Sequence, residues 1–228
     1  MKILFEKDLK FEDNIDINNL DALIIVDMQN DFMPGGTLAV ENGDQIIDDI
    51  NKVAEFFSVR QGKIVLTQDW HPQNHLSFAS NHPGKDPGDN FQTEAIGPIL
   101  WPDHCVQSSK GAEFHERVRT DYAHAIIRKG YNPNIDSYSG FIENDKRSET
   151  GLAGYLKSLN IKRIFICGLA LDYCCFSTAM DGVDFGFEVY FMVDLTKGID
   201  LPPGNVSDSY DQMSNKGVKF MKMKSFSK

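Results

Sequence analysis

Short, wholly apolar runs that each stop abruptly at a polar residue or glycine constrain this chain more than any other feature. Leu23-Ile24-Ile25-Val26 ends at Asp27, and Ile64-Val65-Leu66 ends at Thr67-Gln68-Asp69. Ala125-Ile126-Ile127 ends at Arg128-Lys129-Gly130, and Ile164-Phe165-Ile166-Cys167 ends at Gly168. Val189 to Val193 is a fifth such run, and Val218 to Met221, interrupted by Lys219, reads as a last short strand. Runs this short and this apolar read as strands buried on both faces. Helical spacing lies between them. Ile46, Ile50, Val53 and Phe57 form one apolar stripe, and Leu152, Tyr155, Leu156 and Leu159 form another within Gly151 to Leu159. Ser177 to Phe185 and Ser207 to Lys216 complete the helices. Strands alternating with helices predict a three-layer α/β/α, Rossmann-like fold with a mainly parallel, six-stranded sheet. At 228 residues without repeat, low-complexity tract or linker, residues 1–228 are expected to form a single domain.

In such sheets ligands bind beyond the carboxyl ends of the strands. The polar residues there are Asp27, Asp69 with His71, Lys129, and Gly168 to Cys174. The long connection from Gln68 to Gly111 is rich in His, Pro, Gly and Asn, and a loop of this length usually carries function. Composition narrows the partners. Asp plus Glu number 33 against 23 Lys plus Arg, a formal net charge of −10, which argues against nucleic acid or an acidic membrane. The four cysteines, Cys105, Cys167, Cys174 and Cys175, form no CxxC pair and read as reduced thiols of a cytoplasmic protein. The apolar run Ile3-Leu4-Phe5 is too short for the core of a signal peptide, and no stretch is long enough to cross a bilayer.

Three kinds of chemistry are suggested. Asp69 and His71, spaced i, i+2 at a strand end, and His104 in Trp101-Pro102-Asp103-His104-Cys105 offer two imidazoles and a carboxylate to a divalent metal, with His75 as a candidate fourth ligand. Taken alone, Asp69-x-His71 would be polar loop residues; His104 in its own context tips the reading towards metal. Cys174 follows a strand, a glycine-containing turn and Asp172, and should open a helix, where backbone N–H groups stabilise a thiolate and can receive an oxyanion. Its neighbour Cys175 fits a buried structural thiol, yet position alone does not separate the two. Asp27 ends an apolar strand, where desolvation would lift its pKa towards that of a base, although Asp is also a common turn residue. Lys129 could hold an opposite charge or simply be solvated, and Phe32, Trp101 and Tyr138 could wall an aromatic ring or be plain core.

Taken together, several segments resemble the nicotinamidase/pyrazinamidase branch of the isochorismatase-like cysteine hydrolases. They are Ala22 to Phe32, Thr67-Gln68-Asp69-Trp70-His71-Pro72, Leu100 to Val106, Arg128-Lys129-Gly130, Tyr138-Ser139-Gly140-Phe141 and Gly168 to Cys174, in the family's order from Ala22 to Met192. Several motifs in register are more specific than any one. The resemblance implies an isochorismatase-like fold and hydrolysis of nicotinamide to nicotinate and ammonia through a cysteine thioester, with pyrazinamide also accepted and the product feeding NAD salvage. It implies Cys174 as nucleophile, Asp27 as proton acceptor and donor, and Lys129 as their charged partner. It places Asp69, His71 and His104 on one divalent ion, zinc in the first instance, with iron or manganese as alternatives. It also implies a cis peptide before Ala170, whose N–H would join that of Cys174 in an oxyanion hole. Homo-oligomers are frequent in the family. Many relatives have His at the position of Tyr173 and Thr at that of Leu171, and neither side chain is expected to do chemistry here. Rival readings are an amidohydrolase of the same superfamily acting on a carbamoyl or ureido substrate, isochorismatase proper, and a catalytically inactive binding domain. The metal set argues against the first, the cysteine against the second, and the complete set of catalytic residue types against the third.

Overall fold

The computed structural model describes residues 6–227, so the run Ile3-Leu4-Phe5 lies outside the described residues. Six strands form one sheet: β1 (Asp21–Val26), β2 (Lys63–Asp69), β3 (Ala125–Lys129), β4 (Arg163–Leu169), β5 (Glu188–Lys197) and β6 (Lys219–Met221). Their order is β3-β2-β1-β4-β5-β6, and every adjacent pair is parallel. The chain winds outward from β1 to one edge, then returns to β4 and winds to the other. The reversal between β1 and β4 leaves a crevice at the strands' carboxyl ends.

Among the described residues four α-helices cover the faces: α1 (Ile47–Val59), α2 (Leu152–Ser158), α3 (Phe176–Asp184) and α4 (Asn205–Lys216). Side chains alternate across the central strand, as a strand's period of two requires. Leu23 and Ile25 pack with Ile47, Ile50, Val53 and Phe57 of α1. Ala22, Ile24 and Val26 pack on the other face with Leu152 of α2, Ala179 of α3 and Met213 of α4. Burying each Leu or Ile contributes about 1.5–3 kcal/mol, so these two layers hold the crevice in place.

The strands run further than their apolar runs. β5 continues through the exposed Asp194 to Lys197, because an irregularity opposite Ile166 and Gly168 lets Gly168 pair with Thr196 and Leu169 with Lys197. Asp194 is used elsewhere, accepting the Met223 N–H at 3.0 Å. The two edges differ. A segment before β1 lies along β6, with the Glu12 N–H donating to Phe220 O at 2.8 Å and the Ile15 N–H to Ser225 O at 2.9 Å. At the opposite edge, β3 leaves Ile126 exposed. No helix among the described residues is long and apolar enough to cross a membrane.

Candidate active site

The carboxyl ends of β1, β2 and β3 and the turn after β4 deliver their polar residues to one place. Asp27, the residue after β1, takes a left-handed backbone (φ 47°) that turns its carboxylate towards β2. There Thr67 Oγ1 donates to Asp27 Oδ1 at 2.5 Å and accepts the Asp27 N–H at 3.2 Å. Lys129, the last residue of β3, is wholly buried. Its Nζ lies 2.9 Å from Asp27 Oδ2, 2.5 Å from Asp69 Oδ1, 3.1 Å from Ser137 O and 3.4 Å from Cys174 Sγ. Burial works against the ammonium, but the two carboxylates outweigh it and hold the pKa of Lys129 well above its usual value. Burial raises Asp27 despite the opposing pull of Lys129. For Asp69 the balance reverses: burial would raise it, but Lys129 and then His71 keep it well below the carboxylate range.

The sulfur is affected differently from expectation. Cys174 sits in a π-helical turn, Leu171–Cys175, and α3 begins only at Phe176. The turn widens because Ala170 O accepts both the Tyr173 N–H (3.2 Å) and the Cys175 N–H (3.0 Å). Nor does the site favour a resting thiolate. Burial pushes the Cys174 pKa well above that of a free thiol, Lys129 opposes this, and Asp27 and Asp69 add to it. The Asp27 carboxylate lies within 4.8 Å of the sulfur, placed to take its proton. Asp27 Oδ2 has no well-angled hydrogen bond among the described residues, its contact with Lys129 being ionic, so it has a free lone pair. Cys175 is fully buried in the core between the sheet and its helices, whereas Cys174 faces the cavity. All four cysteines are free thiols.

Across Asp69 lies a second group. The ligand atoms of Asp69, His71 and His104 lie within 4.8 Å of one another, and all three residues are buried. His71 Nδ1–H donates to Gly130 O and His104 Nδ1–H to Pro102 O, each at 2.8 Å. This leaves both Nε2 atoms turned towards Asp69 Oδ2, at 3.5 and 3.8 Å. Backbone carbonyls that fix the tautomer and the ring plane are the usual outer support of a metal-binding histidine. Burial and then His71 lower the His104 pKa to about 4, so that ring is neutral. At His71 the Asp69 carboxylate overcomes burial and raises the pKa, a field that favours positive charge between the rings. Two imidazoles and a carboxylate with these lone pairs converging suit a divalent metal ion. Gly130 is required here: at φ +69°, a Cβ on it would lie 2.3 Å from His71 Cε1. His75 stands beside His71, ring centroids 4.4 Å apart, but its nitrogens already meet Ser77 Oγ (2.7 Å) and Ile135 O (3.1 Å). It is therefore outside the converging set, a correction to the fourth-ligand expectation.

A small pocket opens over both groups. Phe32, Trp101 and Tyr138 line it, as do Ala170, Cys174, Asp69, His71 and His104. The peptide between Leu169 and Ala170 is cis. Trp101 Nε1–H donates to the Tyr138 hydroxyl at 3.1 Å. Several contributors were not anticipated. Tyr173 joins the wall, edge-on to Trp101 (5.0 Å) and to Tyr138 (5.5 Å). Asp136 also lines the cavity; its Oδ1 accepts the Ser137 N–H, and its buried Oδ2 has no well-formed hydrogen bond among the described residues. Gln29 clamps the Asp69 peptide, Oε1 accepting its N–H and Nε2 donating to its O, both at 2.8 Å. Asp31 Oδ2 accepts the Cys105 N–H at 2.7 Å and so fixes the residue after His104. The polar cluster Gln29-Asn30-Asp31, three residues beyond the end of an apolar strand, was the available signal for the last two.

Comparison with known proteins shows the family. The isochorismatase domain model matches residues 21–225. A nicotinamidase of Acinetobacter baylyi is 48% identical over 197 residues, covering 86% of this chain and 90% of that protein. A nicotinamidase/pyrazinamidase structure from Acinetobacter baumanii superposes with a TM-score of 0.86 at 44% identity, covering 90% of this chain and 97% of that one. A pyrazinamidase of Pyrococcus horikoshii, solved in complex with zinc, gives a TM-score of 0.73 at 40% identity, covering 89% and 98%. This chain belongs to the isochorismatase domain family, among its nicotinamidase/pyrazinamidase members.

Proposed function

We infer that this chain is a nicotinamidase, an amidohydrolase that converts nicotinamide to nicotinate and ammonia. The observation that carries the reading is the contact of one buried ammonium, Lys129, with both carboxylates and the Cys174 sulfur on the floor of an aromatic cavity beside a divalent metal set. In our assignment Asp27 takes the Cys174 proton as the sulfur attacks the carboxamide carbon. The N–H groups of Ala170 and Cys174 receive the developing oxyanion, each well-placed donor contributing about 3–4 kcal/mol. Asp27 returns the proton to the nitrogen, the carbon–nitrogen bond breaks, and ammonia leaves a thioester on Cys174. Water then adds to the thioester carbonyl, giving one proton to Asp27, and the sulfur departs as nicotinate is released and recovers its proton from Asp27. Lys129 keeps both carboxylates charged and steadies the sulfur while it is anionic.

Asp69, His71 and His104 would hold the ion, zinc with iron or manganese as alternatives, and a bound ion supplies a Lewis-acid anchor for the pyridine nitrogen. Phe32, Trp101 and Tyr138 hold the ring. Pyrazinamide, with a nitrogen at the same ring position, is a second substrate. A cytoplasmic setting and a homo-oligomer accompany this reading. The test is ammonia release from nicotinamide by the purified, metal-supplemented protein. Release that depends on Cys174 supports the reading, and no release with Zn²⁺, Fe²⁺ or Mn²⁺ supplied would overturn it.

A further inference from the structure

The turn that carries Cys174 is tied by side chains to a surface strap, residues 198–204, which roofs the cavity through Ile199. Two consecutive residues of the turn make the ties. Asp172, buried, accepts the Ile199 N–H at 2.9 Å and the Asp200 N–H at 2.8 Å, and Asn205 Nδ2 reaches its Oδ2 at 3.1 Å. Tyr173 donates its hydroxyl to the carbonyl oxygen of Leu201. The two ties differ in kind. Asp172 grips the base of the strap with a charged, buried acceptor and several donors. Tyr173 adds one neutral hydrogen bond to the far limb, where Leu201, Pro202 and Pro203 are exposed and Asp200 Oδ1 accepts the Gly204 and Val206 N–H groups at 3.0 Å. The ring of Tyr173 is also part of the cavity wall, against Trp101 and Tyr138. One phenol therefore touches both the space for the substrate ring and the segment that closes it.

We propose that Tyr173 is a specificity-determining residue that latches the strap across the cavity and so excludes amides on rings larger than a single six-membered heterocycle. This rests on the nicotinamidase reading of the site. A net hydrogen bond contributes about 1 kcal/mol, so losing this one should change the strap's opening equilibrium about fivefold. Asp172 keeps Ile199 and Asp200 in register, so what the latch holds in place is the limb from Leu201 onward together with the Tyr173 ring on the cavity wall.

Tyr173→Phe removes the hydroxyl and keeps the ring contacts. Hydrogen exchange of the residue 204–206 amides, followed on the whole protein with the Ile199 and Asp200 amides as the unmoved reference, reads the latch; kinetics on nicotinamide and on quinoline-3-carboxamide read the selectivity. Expected in the variant are exchange about fivefold faster in this segment, a rise in KM for nicotinamide exceeding any change in kcat, and a kcat/KM ratio of quinoline amide to nicotinamide about fivefold higher. Unchanged exchange would overturn the latch. Faster exchange with an unchanged ratio would overturn the specificity role. Wild-type protein that releases no ammonia from nicotinamide would sink the functional reading instead, while the exchange result would still judge the latch.

Discussion

Asp69 divides the site into two halves built on different terms. On its Oδ2 side, His71 and His104 are held by backbone carbonyls, each through a bond that would persist whatever lies between the rings. On its Oδ1 side, Lys129, Asp27 and Cys174 are held largely by one another's charge, with Thr67 and Ser137 O as neutral support. The metal half is therefore preorganised and separable. The thiol half is a balance, in which removing one charge alters the others. Asp69 joins them, because the Lys129 contact keeps it ionised for either task.

Breaking the thiol half at its reacting atom should have the largest effect. Cys174→Ala is expected to lower ammonia release from nicotinamide by about 10⁴-fold or more, with metal content by atomic absorption unchanged. Next is Asp69→Asn, which strikes both halves: activity falls about 10²–10⁴-fold, bound metal falls with it, and thermal unfolding shows a loss of about 1–3 kcal/mol, since Lys129 retains Asp27. His104→Ala should separate the halves. Metal affinity falls at least about 10–100-fold, while excess metal restores part of the turnover and thiol labelling of Cys174 is unaffected. If His104→Ala instead lowers stability as much as Asp69→Asn, the halves are not separable. Smallest is Cys175→Ala: ammonia release stays within about twofold and stability drops by about 1–2 kcal/mol, the cost of a small buried cavity.

The sheet and the convergence at its rim were legible because one physical rule writes both. A strand buried on two faces needs an unbroken apolar run, and the polar residue ending it, such as Asp27, Asp69 or Lys129, marks the open end of the layer. What lay beyond that rule was hidden. Tyr173 reads as an ordinary aromatic until the turn before α3 swings it against Trp101 and Tyr138. Asp136 lies in a stretch with no regular element, and only the folded chain brings it beside His71. The field at Cys174 was hidden too: helix-end position favours a thiolate, but the raised pKa depends on burial and on two carboxylates 105 or more residues away in sequence. His75 lies outside the converging set for a similar reason, its nitrogens meeting Ser77 and a carbonyl 60 residues distant.

The strand-like segment before β1 has a practical consequence. The family match begins at residue 21, so a version of the protein trimmed to that boundary would keep every group of the catalytic rim. It would also uncover the Phe220 carbonyl that Glu12 engages and part of the groove filled by Phe11 and Ile15. Bare sheet margins recruit other chains. Such a shortened form should turn over substrate normally when fresh and dilute, yet precipitate on concentration, so the leading segment serves the shelf life of the enzyme rather than its chemistry.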